Sequence, residues 1–423
     1  LSSEEKKRNF RNAELSGNSL DDLEANWLDY KAIGSDSDTG LREKLLDLLK
    51  IVDLDDDTYA LGLRGTINPL ENKELTENIL SARKALQERL KQPEISEAVE
   101  LFDKEKFNNN ASVAENLLFG TPVGDNFVIE KIAENEYVRE TLRLVELENE
   151  FVRVGRDVAS TMVELFADLP SDHEYFSQYS FIAGDHLPDF QILLGRAERL
   201  GLDSMEQEDR DRFLALPFML IPARHRLGLI TDEIKARILK ARQEFASNIP
   251  DSLRGSIEFY SEEKYNGSAS LQDNILFGKI ASDKADSSEQ VGNLISEVIE
   301  SENIRPIVVE VGLGFQVGLA GSKLSAAQRQ KVSLARALIR SPDVLILNEA
   351  TSALDSGSQS KVIKNIMEAT KGKNLLWVLQ RVGLADVFDR VLVMSGGRVI
   401  ETGSFKELES QPDSTLNNLL RDE

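Results

Sequence analysis

The sequence contains no cysteine. That removes thiol nucleophiles, disulfides and thiolate metal sites from consideration, and it suits a reducing cytosol. Positive charge is short: 50 Lys and Arg stand against 73 Asp and Glu, for a formal net charge of −23. Such a surface repels phosphate backbones, and no basic cluster is large enough to offset it, so nucleic acid is not expected as a partner. Long apolar runs are missing as well. The longest, Phe213 to Ala223, carries Pro217 and Pro222 and is too short to span a bilayer, and no signal peptide opens the chain. The three histidines, His173, His186 and His225, lie apart and lack the spacing of metal ligands. No G-x-S-x-G elbow supports serine hydrolase chemistry. Nor does any stretch satisfy G-x-x-x-x-G-K-[ST], the loop whose N–H groups, lysine and hydroxyl together hold phosphate and magnesium. Gly34 to Gly40, with Lys44 beyond it, comes nearest, but Leu41 and Arg42 follow where that loop needs Lys and Ser or Thr. Gly312-Leu313-Gly314 is followed by Gly318, which is not dinucleotide-loop spacing. With 423 residues the chain has room for two or three domains. It opens on Leu1 rather than methionine, so it reads as a piece of something longer.

What is present concentrates between Leu324 and Asp355. Ser325 can cap a helix, with Gln328 three residues on completing a capping box and leaving first-turn N–H groups pointing outward. Such an N-terminus suits anions. The helix places Val332, Ala335, Leu338 and Ile339 on one face and stops before Pro342. Val344 to Leu347 is an unbroken apolar run, which predicts a parallel strand covered on both faces. Asn348 and Glu349 fall at its carboxyl end, where open parallel sheets bind their ligands.

This succession resembles the signature motif, Walker B strand and D-loop of ATP-binding cassette (ABC) ATPases, in the form found in exporters. The likeness covers about residues 257 to 410. It implies an α/β fold: the remainder of a P-loop NTPase-like ABC ATPase, with a parallel sheet and a helical signature subdomain, beside a large, mainly helical N-terminal or inserted region. Val344–Leu347 and Leu375–Leu379 are then adjacent parallel strands, the second ending at Gln380. Val391–Met394 and Arg398–Glu401 read as a hairpin on a glycine turn.

Taken in order, residues 1–68 are acidic and mainly helical in pattern, with Asp53-Leu54-Asp55-Asp56-Asp57 read as a solvated turn. Residues 69–228 are a helical or mixed insertion holding a first degenerate repeat, and residues 229–423 are the ABC ATPase-like portion. The repeat runs from Asn108 to Gly120 (N-N-N-A-S-V-A-E-N-L-L-F-G) and returns from Asn266 to Gly278 (N-G-S-A-S-L-Q-D-N-I-L-F-G). An amphipathic helix precedes each, which points to an internal duplication. Both copies resemble the segment after the Q-loop of ABC exporters, and counting back from Asn274 puts Glu262 near the Q-loop position. There it is either a magnesium ligand or an exposed loop acid.

The resemblance implies ATP and Mg2+ as cofactors, bound between two such domains. Leu324, Ser325, Ala326, Ala327, Gln328 and Asp355 stand at the nucleotide-binding positions, Asn348 and Glu262 at the metal positions, and Glu349 and Gln380 at the catalytic ones. Four of these depart from the family pattern. Ala326 and Ala327 replace glycines that let backbone approach phosphate, so binding should weaken. Asn348 replaces an aspartate and keeps its shape without its charge. Gln380 replaces a histidine and keeps a donor without a titratable ring. Glu349 remains as the general base. The implied function is the nucleotide-binding-domain portion of an ABC exporter, at the cytoplasmic face of the inner membrane. Its partners would be a transmembrane domain and a second ABC ATPase domain in a homodimer. Slow hydrolysis and a catalytically inactive structural or regulatory domain are both open, and the chain by itself is expected to be inactive. A soluble ABC-type ATPase acting on DNA shares the signature but not the Asn274 to Gly278 segment.

Overall fold

The computed structural model describes residues 2–19, 28–282, 284 and 286–422. The chain divides into two compact units, Thr58–Phe315 and the flanking pair Leu1–Asp57 with Gln316–Glu423. In the flanking unit, helix α1 (Asp38–Ile51) starts from Ser37, whose hydroxyl accepts from Gly40 N at 3.2 Å. The glycine stretch before it is closed on itself. A Cβ on Gly40 would lie 2.3 Å from Ser35 Oγ, and the Lys44 amine donates to the Ile33 carbonyl.

Helix α2 (Asp55–Leu63) carries the chain into the central unit. There, α3 (Lys73–Arg89) leads through β1 (Val99–Leu101), α4 (Val113–Leu118), β2 (Gly120–Pro122) and α5 (Glu136–Leu144) to α6 (Glu148–Phe166). Further on, α7 (Gln207–Ala215) and α8 (Asp232–Asn248) lead through β3 (Ile257–Phe259), α9 (Leu271–Leu276), β4 (Gly278–Ile280) and α10 (Ser287–Ser301) to α11 (Arg305–Leu313). The segments alike in sequence take the same local form. Ser112 and Ser270 cap α4 and α9 by accepting from the backbone N–H three residues on. Both helices end on a phenylalanine in the left-handed region, Phe119 at φ 43° and Phe277 at φ 46°.

The two segments are interlocked by reciprocal exchange. β1 pairs antiparallel with β4 and β2 with β3, and the register Val99↔Ile280 maps onto Ile257↔Pro122 when the segments are interchanged. The preceding helices cross over too, α3 packing on α9 and α8 on α4. Each cross-over helix sends in a buried arginine. Arg242 Nε donates to Asn116 O at 2.6 Å, and its Nη1 to the carbonyls of Asp103, Lys104 and Lys106 at 2.9–3.1 Å. Arg83 repeats this on Asn274 O at 2.7 Å and on Ser261, Glu262 and Lys264 at 2.6–3.2 Å. Arg242 also lies over the Phe119 ring and Arg83 over Phe277, each at 4.5 Å. Phe102 and Tyr260 stack between the segments with centroids 4.5 Å apart. One hydrophobic core runs continuously from Phe107 to Ile257, so a single stretch of chain builds one half of this unit.

After the central unit come α12 (Ala326–Leu338), β5 (Val344–Asn348), α13 (Ser356–Ala369), β6 (Asn374–Val378), and the hairpin β7 (Val391–Ser395) with β8 (Arg398–Gly403). β5 and β6 pair in parallel from Val344↔Asn374 to Asn348↔Val378, as the strand order predicted. The expectation of a strand covered on both faces is corrected. Leu345 and Leu347 are buried, whereas Val344 and Ile346 are 57% and 65% exposed because nothing among the described residues packs on that face. The inward face of α12 is rotated from the one expected: Leu338 is buried and Ala335 and Ile339 are half-buried as read, but Val332 is not part of it. Lys331, Leu334 and Leu338 are buried, while Val332 is 36% exposed.

Candidate functional site

The physical reason for that shift lies in the acidic run. Asp53, at φ 60°, turns the chain after α1, and Leu54 beside it is buried. The Lys331 ammonium donates to the Asp53 carbonyl at 2.6 Å and to its carboxylate at 3.0 Å, and lies 3.6 Å from Asp57. The turn is thus docked on α12 rather than solvated, and its charge is what draws Lys331 inward. Burial raises the Asp53 carboxyl, but hydrogen bonds from Lys361 and Lys331 outweigh it and hold the group below the usual carboxylate range.

At the N-terminus of α12 the capping box forms as predicted. Ser325 Oγ accepts from Gln328 N at 3.1 Å, and Gln328 Oε1 accepts from Ser325 N at 2.9 Å. The Gln328 amide then donates to Asp57 Oδ1 at 2.8 Å. Ser325 and Ala326 are exposed, Leu324, Ala327 and Gln328 half-buried. The helix end therefore presents backbone to solvent, while its glutamine is engaged internally.

At the end of β5, Asn348 and Glu349 are both exposed. Glu349 adopts φ 48°, a left-handed conformation that a residue with a Cβ holds only when its surroundings impose it. Its N–H donates to Val378 O at 3.0 Å, across to β6. Gln380 Nε2 donates to Glu349 Oε2 at 2.9 Å, so the two predicted catalytic side chains meet. Sequence reasoning missed Gln330. From α12 its Nε2 donates to Glu349 O at 3.1 Å and Ser352 Oγ at 3.2 Å, and its Oε1 accepts from Ala353 N at 2.9 Å. Asp355 caps α13 by accepting from Ser358 N at 3.0 Å, a bond that holds its carboxyl below the usual range. Gln359 closes the same turn on the carbonyls of Thr351 and Leu354.

The predicted metal positions are not assembled by this unit alone. Glu262 belongs to the central unit, where its carbonyl accepts from Arg83 and its side chain is exposed. Among the described residues no three His, Cys, Asp or Glu side chains are grouped to hold a metal ion. One amide and one carboxylate already bonded to Gln380 do not make the oxygen-rich set that magnesium requires, so these residues do not by themselves fit the ion. His225 is structural: its Nδ1 accepts from Ile221 N at 2.9 Å, and burial, with Arg224 nearby, pushes it down to about 4.

A parallel strand pair followed by a helix, with polar side chains at the carboxyl end of the strands, is an α/β arrangement of the kind that binds ligands at that end. Residues 227–352 match the family described as ABC transporter. The chain is 37% identical over 172 residues to the ATP-dependent permease MDL1 of Candida albicans, covering 40% of this chain and 24% of that protein. It is 36% identical over 159 residues to the probable multidrug resistance ABC transporter ATP-binding/permease protein YheI of Bacillus subtilis, covering 37% and 26%. With a putative export ATP-binding/permease protein of Rickettsia felis it shares 30% over 188 residues, covering 44% and 31%. The chain thus spans about a quarter to a third of the length of these relatives. Residues 227–352 are part of an ABC exporter-type ATPase domain, a family of P-loop NTPase-like α/β fold whose domains bind ATP with Mg2+. No helix of the described residues is long and apolar enough to cross a membrane.

Proposed function

We propose that this chain is a nucleotide-binding-domain portion of an ABC exporter-type membrane transporter, contributing the signature helix α12 and the carboxylate of Glu349 to ATP binding and slow hydrolysis. The observation that carries this reading is the placement of Glu349. Its carboxylate is held by Gln380 and its backbone by the signature helix, so the base is aimed outward from the strand end. In this reading the phosphate-binding loop comes from outside these residues. The partners are a transmembrane domain and a second ABC ATPase domain, likewise a copy of this one, at the cytoplasmic face of the inner membrane. Glu349 takes the proton of the attacking water, and the exposed backbone at Ser325 and Ala326 faces the nucleotide's phosphates.

A second reading, a catalytically inactive structural or regulatory domain, is favoured by Asn348, which leaves the strand end one charge short, and by the engagement of Gln328 with Asp57. Turnover by the assembled transporter separates the two. In the first reading Glu349→Gln abolishes hydrolysis while nucleotide binding persists, because an amide cannot accept the proton. Asn348→Asp then raises turnover about tenfold, or about 1.4 kcal/mol of barrier. Equal background rates in wild type and Glu349→Gln, with no response to Asn348→Asp, establish the second.

A further inference from the structure

Gln330 joins the signature helix to the turn that follows Glu349. A carboxamide both donates and accepts, and here both capacities act on one short segment: two donations, to Glu349 O and Ser352 Oγ, and one acceptance, from Ala353 N. The segment needs holding. Glu349 sits at φ 48°, and such backbone relaxes unless fixed from more than one side. β6 fixes it through the Glu349 N–H, and Gln330 fixes it through the carbonyl of the same residue. Gln330 lies two positions beyond Gln328, within the first turns of α12. A shift of the helix N-terminus is therefore transmitted to the backbone that aims the Glu349 carboxylate.

We propose that Gln330 is a positioning residue: it couples the place of the signature helix to the aim of Glu349, so that hydrolysis responds to what the helix N-terminus contacts. This rests on the reading of Glu349 as the working base. Small errors of placement at a catalytic group are costly in rate and cheap in affinity. In the assembled transporter, Gln330→Ala lowers kcat for ATP about tenfold with the nucleotide KM within about twofold of wild type. Gln330→Glu keeps the acceptor, loses the donor, and lowers kcat at least as far. In a Glu349→Gln background, Gln330→Ala changes the residual rate no further, because its effect passes through Glu349.

A wild-type kcat in Gln330→Ala, or an equal loss in the Glu349→Gln background, overturns the proposal, the latter result marking a merely structural role. If Glu349→Gln itself leaves turnover unchanged, it is the reading of Glu349 that fails. The positioning contact is then decided by amide hydrogen exchange in the 423-residue chain. Gln330→Ala speeds exchange at Ser352 and Ala353 while β5 and α12 keep their protection. Unchanged exchange there overturns it.

Discussion

Arg83 and Arg242 show what one residue contributes to the central unit. Each is almost fully buried, at 1% and 4% exposure, and faces a fan of backbone carbonyls instead of a carboxylate. Burial pushes both guanidinium groups down to about 10, which leaves them charged at neutral pH. The carbonyls depend on them in turn, although Asp103 O and Ser261 O also accept from the N–H groups of Lys106 and Lys264. Arg242→Ala removes the side-chain donor from Asn116 O and from the Lys104 and Lys106 carbonyls and is expected to cost on the order of 3 kcal/mol, from unpaired buried polar groups and lost packing under Phe119. Arg83→Ala should cost about the same, because its bonds are the same. Arg→Lys at either site recovers little, since an ammonium cannot span the fork from Asn116 O to Lys106 O. Urea unfolding of the four variants checks this, and a large difference between the Ala variants would show that the sites are not equivalent.

Among the elements, the helix crossings are the tightest contacts. A Cβ on Gly155 of α6 would stand 1.9 Å from Phe213 O of α7, and one on Gly312 of α11 would stand 2.0 Å from Thr58 O of α2. Neither carbonyl can retreat without opening a helix, so Gly155→Ala should destabilise the chain by about 2–3 kcal/mol, read as a lower urea midpoint. Gly195→Ala, where a Cβ meets nothing within 4 Å, serves as the control and should be neutral or slightly stabilising. How far such elements could be foreseen depended on whether local chemistry fixed them. The Ser325 capping box, the paired strands β5 and β6, and the kinship of residues 108–120 with 266–278 all rest on near neighbours or unbroken patterns, and all were legible. The inward face of α12 was legible only in part, at Leu338. Lys331, Leu334 and Leu338 share a helical stripe as good as the apolar one, and only Asp53, distant in sequence, makes the lysine its first member. Val344 to Leu347 misled in the opposite sense, for continuous apolarity records what a strand can bury and not what covers it in these residues. Gln330 escaped notice because a glutamine in a helix says nothing until its partners, a turn some twenty residues on, are seen.

For the molecule as a whole, the site is, in the proposed reading, one side of an arrangement. No G-x-x-x-x-G-K-[ST] loop occurs in the 423 residues, and the groups at the strand end do not gather a cation, so the chain alone should bind Mg-ATP no tighter than about millimolar. Calorimetry giving micromolar affinity would contradict this and with it the one-sided description of the site. The exchanged pairing of the central unit carries a consequence of another kind, for synthesis. The half built on the Phe107 to Ile257 core is one continuous stretch and can fold as soon as it emerges. The other half cannot. Arg83 waits for Asn274, 191 residues later, and β1 waits for β4. At roughly 5–20 residues per second the delay is about 10–40 s, during which α3 and β1 leave the ribosome with their partners unmade. For that interval these segments depend on chaperones or on remaining loosely structured. The order of synthesis therefore makes the inserted half a template on which its older neighbour is closed.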